Sequence, residues 1–329
     1  MARRIAAGAA FGGGGIGLIG AAGMGVLLAE VQLAKRRVGI PDAPVPANGN
    51  GWYGLAYGEA DALRLGVIGD SLAAGQGVRR VGQTPGALLA SGLAAVAERP
   101  VDLVNVALPG ARSNDLDRQV TLMLSDPSRL PDVCVVMIGA NDVTHRMAPT
   151  HSVRYLKDAV RRLRTAGSEV VVATCPDLGT VEPVYQPLRW LARRTSRQLA
   201  AAQTIVTVEQ GGRTVSLGDL LGPEFEAHPS EMFGPDHYHP SVDGYATASM
   251  AVLPTVCAAL GLWPETDRLD VLRDEDMLPV AKAASEAAAR GGTEVTGARA
   301  PWALLKHRRR RHVVTQQEPV PREAHQDTT

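Results

Sequence analysis

The chain has 329 residues, 45% of them hydrophobic, which is long enough for one or two domains with sizeable cores. Its 34 basic residues balance its 34 acidic ones, and this excludes a global field that would draw the protein to nucleic acid. The three cysteines are scattered and odd in number, without the spacing of a zinc site or the pairing of a disulfide framework. We therefore expect buried, unreactive thiols and no metal.

The N-terminus begins with an uncharged stretch, residues 5–29, which lies between Arg3–Arg4 and Lys35–Arg37. A helix of 25 residues would cross a hydrocarbon core of about 30 Å. Nine of the 25 are glycine and seven are alanine, so each residue contributes little to insertion. No Ala-x-Ala-like cleavage site follows. We predict an uncleaved membrane anchor within residues 1–37, and a disordered glycine-rich leader is the alternative.

The side of the membrane is weakly constrained, because three formal positive charges stand on each flank once the free amine is counted. We expect the rest of the chain on the extracytoplasmic side. Residues 38–63 hold three prolines and an Asn-Gly-Asn-Gly run, which is typical of a linker.

From residue 64 onward, short apolar runs alternate with longer amphipathic segments. This alternation predicts an α/β fold in which helices cover both faces of a five-stranded parallel sheet, within residues 64–263. The predicted strands are Arg64–Gly69, Val101–Ala107, Val133–Gly139, Glu169–Cys175 and Arg213–Leu217. The predicted helices are Pro85–Glu98, Asp115–Ser125, His151–Thr165, Leu188–Gln203 and Ala246–Leu260. Residues 204–208 fit either an extension of the fourth helix or a further strand.

The composition changes after Trp263. Residues 264–290 are acidic and include a predicted helix over Val280–Arg290, and residues 291–329 are predicted to be a disordered basic tail. The run Lys306–His312 has the charge to bind anionic lipid or nucleic acid. A solvated tail is the simpler interpretation.

One stretch, Leu65–Gly75, organises the chain. Its apolar run ends at Gly69, and Ser71 follows where small residues lead into a helix. A serine on such a strand-to-helix turn presents its hydroxyl at the carboxyl end of the sheet, where ligands bind in open α/β folds and hydrolases place a nucleophile. We therefore predict that Ser71 is a nucleophile.

A serine nucleophile needs a base, a group that orients the base and donors for an oxyanion. His239 is the predicted base, because Asp236 lies three residues before it and can turn back to the imidazole Nδ1. His237 is the competing candidate, although adjacent side chains usually point in different directions. Gly110 and Asn141 follow the second and third predicted strands, at the same edge of the sheet as Ser71.

Four blocks thus stand in order: Gly69–Leu72, Asn105–Ala111, Ile138–Asp142 and Asp236–Pro240, the last followed by Gly244-Tyr245. Together they resemble the SGNH (GDSL) hydrolase superfamily over roughly residues 64–260. The resemblance implies a flavodoxin-like three-layer fold and the Ser71, His239 and Asp236 triad. It also implies an oxyanion hole made by Ser71, Gly110 and Asn141, and catalysis without a metal or cofactor.

Three other polar residues near these blocks have structural interpretations. Asp70 is a neighbour of Ser71 on the same turn, and we expect it to brace the loop by accepting backbone N–H bonds. Asp142 is expected to order the loop that carries Asn141. Cys175 ends the fourth strand at the same edge, but the sequence shows no partner that would activate it.

These observations predict a membrane-anchored serine esterase that hydrolyses carboxylic esters of lipids or O-acylated carbohydrates through an acyl-enzyme. Two alternatives stay open: an acyltransferase with the same triad, and a non-catalytic module that binds acylated envelope material. We see no long apolar lid, and we therefore expect a shallow site for small acyl groups. The expected partners are an ester substrate and, through residues 5–29, a membrane, with no nucleic acid.

Overall fold

The computed structural model describes residue 25 and residues 29–34, 36–37, 46–58 and 62–262. Nearly all of the predicted anchor, residues 5–29, lies outside the described residues, as do the acidic extension 264–290 and the basic tail 291–329. Among the residues that are described, no helix has the length and apolarity needed to cross a membrane.

The described strands form a six-stranded sheet in the order β1-β3-β2-β4-β5-β6. They are β1 (Gly51–Tyr53), β2 (Leu63–Gly69), β3 (Val101–Asn105), β4 (Val133–Met137), β5 (Glu169–Ala173) and β6 (Arg213–Val215). Strands β2 to β6 are parallel, and their order is that of a flavodoxin-like sheet. All five predicted strands are present, each within a few residues of its predicted bounds.

The prediction of a five-stranded, fully parallel sheet is wrong by one strand. Strand β1 pairs antiparallel with β3, with Trp52 opposite Asp102, and makes the sheet mixed. It lies inside the predicted linker, residues 38–63. Three residues between glycines and asparagines give no periodic pattern, so only the free edge of β3 makes this segment a strand.

Residues 29–34 and 36–37 are helical, and nine α-helices with defined bounds follow within the described residues 62–262. They are α1 (Ser71–Ala74), α2 (Pro85–Ala97), α3 (Leu116–Met123), α4 (Ala140–Thr144), α5 (Pro149–Thr165), α6 (Leu188–Glu209), α7 (Leu217–Ala227), α8 (Pro229–Met232) and α9 (Val242–Ala259). Helix α6 includes residues 204–208, which were ambiguous in the sequence. Helix α7 was not predicted, because Pro223 lies inside it and glycines interrupt its pattern.

Two hydrophobic cores lie on opposite faces of the sheet. Val67 points into the core beneath α2 and α9, while its neighbour Ile68 points into the core beneath α3 and α5. This alternation follows from the two-residue period of a strand whose two faces are both covered. All three cysteine thiols are free and buried, as expected. Burial raises the pKa of Cys134 to about 12 and that of Cys257 to about 11.

Candidate active site

The turn after β2 requires glycine at its first position. Gly69 has a φ of +143°, and a Cβ there would lie 1.9 Å from the carbonyl oxygen of Met137 on β4. Its peptide groups are held by the buried amide of Gln119: the Gly69 N–H donates to Oε1 at 2.7 Å, and Nε2 donates to the Gly69 oxygen at 2.8 Å. Because Gln119 binds the peptide groups on both sides of Gly69, the positions of Asp70 and Ser71 are fixed.

Ser71 is the first residue of α1 and is 7% exposed. Its backbone N–H belongs to the first turn of a helix, where amides have no intrahelical acceptor. Asp70 caps this helix by accepting a hydrogen bond from the Leu72 N–H at 2.9 Å. Burial raises the pKa of Asp70 to about 7, although backbone N–H groups of Leu72 and Gly139 oppose the shift. Asp70 therefore braces the turn, as expected from the sequence.

The loop before α9 brings Asp236 and His239 into contact. Asp236 Oδ2 lies 2.5 Å from His239 Nδ1, and Oδ1 accepts the backbone N–H groups of Tyr238 and His239, each at 3.0 Å. Both side chains are buried, with exposures of 5% and 4%. Burial raises the pKa of Asp236, but these hydrogen bonds outweigh it and leave the pKa below its ordinary value. The carboxylate thus engages Nδ1 and leaves Nε2 as the other ring nitrogen.

His237 has a different environment. It is exposed, has a φ of +54°, and donates its backbone N–H to the Gly234 oxygen at 2.9 Å. The Asp236 carboxylate therefore pairs with His239, three residues on, and His237 lies at the surface of the loop.

The loops after β3 and β4 are joined to each other. Asn141 Nδ2 donates to the Ala111 oxygen at 3.1 Å, which places the amide beside the Gly110 turn. The buried Asp142 carboxylate accepts the Ser113 N–H at 2.9 Å and the hydroxyls of Ser113 and Ser152. Since an amide nitrogen carries two hydrogens, Asn141 keeps one donor beyond its bond to Ala111. Gly110 itself is exposed, with a φ of +81°.

Ser71 and His239 line the same cleft, which is open to solvent. The opposite wall is apolar and comes from the segment after β5, from α7 and from the loop before α9. Its larger apolar side chains are Leu178, Val181, Leu217, Leu221, Phe225 and Phe233. Helix α7, which the sequence pattern does not predict, supplies part of this wall, and the shallow site stays a prediction.

Two residues that support the site were not assigned roles from the sequence. Tyr245, fully buried on α9, donates its hydroxyl to the Gln76 oxygen at 2.7 Å, while the Gln76 N–H donates to the Ser71 oxygen at 3.0 Å. It therefore fixes the end of α1. Its signal was the Gly-Tyr pair that follows the fourth block. Gln119 lies within α3, where nothing in the sequence marks a glutamine that binds the Ser71 turn.

The segment after β5 is held by charge. The Asp177 carboxylate is buried, accepts the Gly179 N–H at 2.8 Å and lies 3.3 Å and 3.1 Å from the Nε atoms of Arg193 and Arg197 on α6. Burial also raises the pKa of the Cys175 thiol, which fits the structural role expected for it. Among the described residues, no cluster of histidine, cysteine or carboxylate side chains is suited to hold a metal ion.

The chain is similar in sequence to known proteins. A GDSL-like esterase of Mycobacterium tuberculosis, Rv1075c, is 42% identical over 211 residues, which cover 64% of this chain and 65% of that protein. Two solved structures are also similar. LAE5, an alpha/beta hydrolase from the metagenome of Lake Arreo, is 21% identical with a TM-score of 0.48, over 63% of this chain and 98% of its own. Axe2, an acetylxylan esterase from Geobacillus stearothermophilus, is 21% identical with a TM-score of 0.47, over 62% and 96%.

The model of the GDSL-like lipase/acylhydrolase family matches residues 67–247, from β2 to the start of α9. This range is more than half of the chain and contains all four sequence blocks. The chain therefore belongs to the GDSL-like lipase/acylhydrolase family.

Proposed function

We propose that the protein is a serine esterase that cleaves carboxylic esters through an acyl-enzyme. The observation that carries the proposal is that Ser71 lines the same cleft as His239, whose ring is oriented by the buried Asp236 carboxylate. Family membership supports the reaction class. The residue roles rest on the chemistry of these groups.

In the proposed reaction, Ser71 Oγ attacks the ester carbonyl carbon while His239 Nε2 takes the hydroxyl proton. Asp236 stabilises the imidazolium that forms. The developing oxyanion is stabilised by the backbone N–H groups of Ser71 and Gly110 and by the free N–H of Asn141. The tetrahedral intermediate collapses, the C–O bond to the alcohol breaks, and His239 gives the alcohol its proton. Water then repeats the sequence on the acyl-enzyme and releases the acid.

The apolar wall of the cleft favours ester substrates whose acyl group has several methylene groups. Each methylene that leaves water for Leu221 or Phe225 gains about 0.8 kcal/mol. Acetyl would reach little of this wall, and a butyryl to octanoyl chain would contact it. We therefore propose esters of medium-length acyl chains, on either a lipid or a carbohydrate alcohol.

We also propose that residues 5–29 anchor the protein in a membrane, with the hydrolase on the extracytoplasmic side. The support is the uncharged stretch of 25 residues between arginine-containing flanks. The test is carbonate extraction of membranes followed by protease treatment of intact cells. Release by carbonate argues against the anchor, and full protection of the domain argues for the opposite orientation.

The activity is tested with a p-nitrophenyl ester series from acetate to octanoate and a fluorophosphonate probe. We expect turnover and labelling in the native chain, and loss of both in Ser71→Ala. The control is Ser125→Ala, which removes an exposed hydroxyl that donates to the Leu122 oxygen. Absence of labelling and turnover in the native chain favours the binding module. Acyl consumption that rises with an added sugar acceptor favours the acyltransferase.

A further inference from the structure

Outside the cleft, the start of α6 and the loop before it carry exposed aromatic and apolar side chains. Tyr185 and Trp190 are each 55% exposed, and Leu191 is 38% exposed. Single exposed apolar residues are ordinary on a soluble protein. Here three large exposed side chains fall within seven consecutive positions, and a cluster of this kind indicates a surface that binds a partner.

Arginines accompany these aromatic rings. The guanidinium carbon of Arg194 lies 5.4 Å from the centre of the Trp190 ring, and that of Arg37 lies 4.7 Å from the centre of the Tyr185 ring. Residues 185–197 contain four arginines, of which Arg193 and Arg197 pair with Asp177 and Arg189 binds the Gly179 oxygen. Arg194 is the arginine of this segment that lies beside an aromatic ring. Amphipathic rings beside guanidinium groups are the side chains that favour the boundary between water and lipid, where phosphates are near.

The N-terminal segment meets the chain at this same place. Glu30 Oε2 accepts the backbone N–H of Leu188, the first residue of α6, at 2.8 Å. A carboxylate at that position satisfies an otherwise unpaired amide and complements the helix dipole. Glu30 comes directly after the uncharged residues 5–29, and Leu33, three residues later, is 41% exposed. The residue that follows the uncharged stretch is therefore bound to the first residue of α6, the helix that also carries Trp190.

We propose that this surface, made by Leu33, Arg37, Tyr185, Trp190, Leu191 and Arg194, rests on the headgroup layer of a bilayer that contains anionic lipid. Trp190, Tyr185 and the leucines enter the interface, and the arginines contact lipid phosphates. Lipid contact at this surface does not require Ser71 to be a nucleophile, whereas the route of a membrane ester to Ser71 rests on the proposed function.

The surface is also joined to the cleft. Arg189 Nε donates to the Gly179 oxygen at 2.9 Å, so the first turn of α6 holds the segment whose next residues, Thr180 and Val181, line the apolar wall. When the surface lies on lipid, the apolar side of the cleft is close to the bilayer. An ester that resides in the membrane then has a short path to Ser71.

The test uses the full chain with vesicles of phosphatidylcholine and about 30% phosphatidylglycerol, in which part of the phosphatidylcholine is brominated on its acyl chains. Bromine quenches only tryptophan that enters the lipid. We expect Trp190→Phe to remove at least half of the quenchable emission. Trp52→Phe is the matched control, because Trp52 is 53% exposed but lies on β1, at the opposite edge of the sheet from β6. It should leave the quenching unchanged.

Charge reversal tests the lipid chemistry. Arg194→Glu should lower the quenching at least threefold in the anionic vesicles and leave it unchanged in pure phosphatidylcholine. Equal quenching in Trp190→Phe and in the native chain overturns the proposal. So does a dimer in sedimentation, without lipid, that Trp190→Ala dissociates, since the surface would then be an interface between copies. Unchanged circular dichroism and unchanged turnover of a soluble ester show that the variants are folded.

Discussion

The two walls of the cleft are held together by different forces. The polar wall consists of the turns after β2, β3 and β4, and buried hydrogen bonds join residues distant in sequence, such as Gln119 with Gly69 and Asp142 with Ser113. The apolar wall consists of the segment after β5 and of α7. It is held by side-chain packing, by the buried Asp177 carboxylate with Arg193 and Arg197, and by the pair of Arg193 with Glu226, whose side chains are 34% and 54% exposed.

The difference indicates which wall tolerates change. A buried polar group that loses its partner costs about 1–3 kcal/mol, so the polar wall has one favourable arrangement. Partly exposed ion pairs contribute about 0–1 kcal/mol, and apolar packing accepts side chains of other shapes. We infer that the polar wall fixes the chemistry and the apolar wall sets the size of the acyl group.

The largest effect on kcat is expected from removal of His239, the proposed general base. His239→Ala should lower kcat by about 10⁴-fold or more, because Ser71 would lose the group that takes its proton. His237→Ala is the matched control and should stay within about threefold of the native enzyme. Both are measured with p-nitrophenyl butyrate. A larger loss in the His237 variant would reverse the assignment of the base.

Asn141→Ala should lower kcat by about 10²–10³-fold with little change in KM, since it removes a donor used only when the oxyanion forms. The comparison is Thr144→Ala on the same helix, whose exposed hydroxyl bonds the Asn141 backbone oxygen and the His145 ring, so that the Asn141 side-chain amide stays in place. If KM rises in place of a fall in kcat, Asn141 binds the substrate and does not stabilise the transition state.

The buried Asp70 makes stability depend on pH. Its pKa is about 7 in the folded protein against 3.8 as the ordinary value, so between these pH values the native state holds a proton that the unfolded state has lost. The free energy of unfolding should therefore fall as pH rises from about 4 to about 7, by about 1.4 kcal/mol for each unit of pKa difference. Urea titrations at several pH values measure this slope.

Asp70→Asn keeps an N-cap side chain but cannot ionise. The slope that Asp70 causes should be absent from this variant. Equal slopes in the two proteins would show that another group is responsible for the pH dependence.

On the apolar wall, Leu221→Trp should lower kcat/KM for p-nitrophenyl octanoate about tenfold and leave the acetate within about threefold. The indole fills space that the longer chain needs, and one or two methylene groups are worth that ratio. Leu122→Trp, at an exposed position of α3, controls for the substitution itself. A parallel loss on both esters would mean that the acyl chain does not reach α7.

The smallest effect is expected from Glu226→Ala, which removes the partly exposed pair with Arg193. Its free energy of unfolding should fall by no more than about 1 kcal/mol, as measured by urea denaturation. A loss of several kcal/mol would show that charge, and not packing, holds the apolar wall.

The sequence predicts the parallel strands and the Asp236–His239 loop better than it predicts the apolar wall of the cleft. Strand β4 is a continuous apolar run, and Asp236 lies at a spacing that lets one loop hold carboxylate and imidazole, so local patterns were sufficient there. Strand β1 has three residues and exists because β3 has a free edge. Helix α7 contains Gly222 and Pro223, which local propensity disfavours. Neither element can be predicted without its neighbours in the fold, so the sequence does not predict the part of the apolar wall that α7 forms.

Tyr245 ties the last helix of the fold to the turn that carries Ser71. Because chains are synthesised from the N-terminus, Ser71 leaves the ribosome long before His239 and Tyr245 do. The nascent chain can form its central strands early, but it completes the site around Ser71 only when the final helix emerges. If Ser71 and His239 act as proposed, the newly made chain stays inactive toward nearby esters until synthesis of the domain is almost finished.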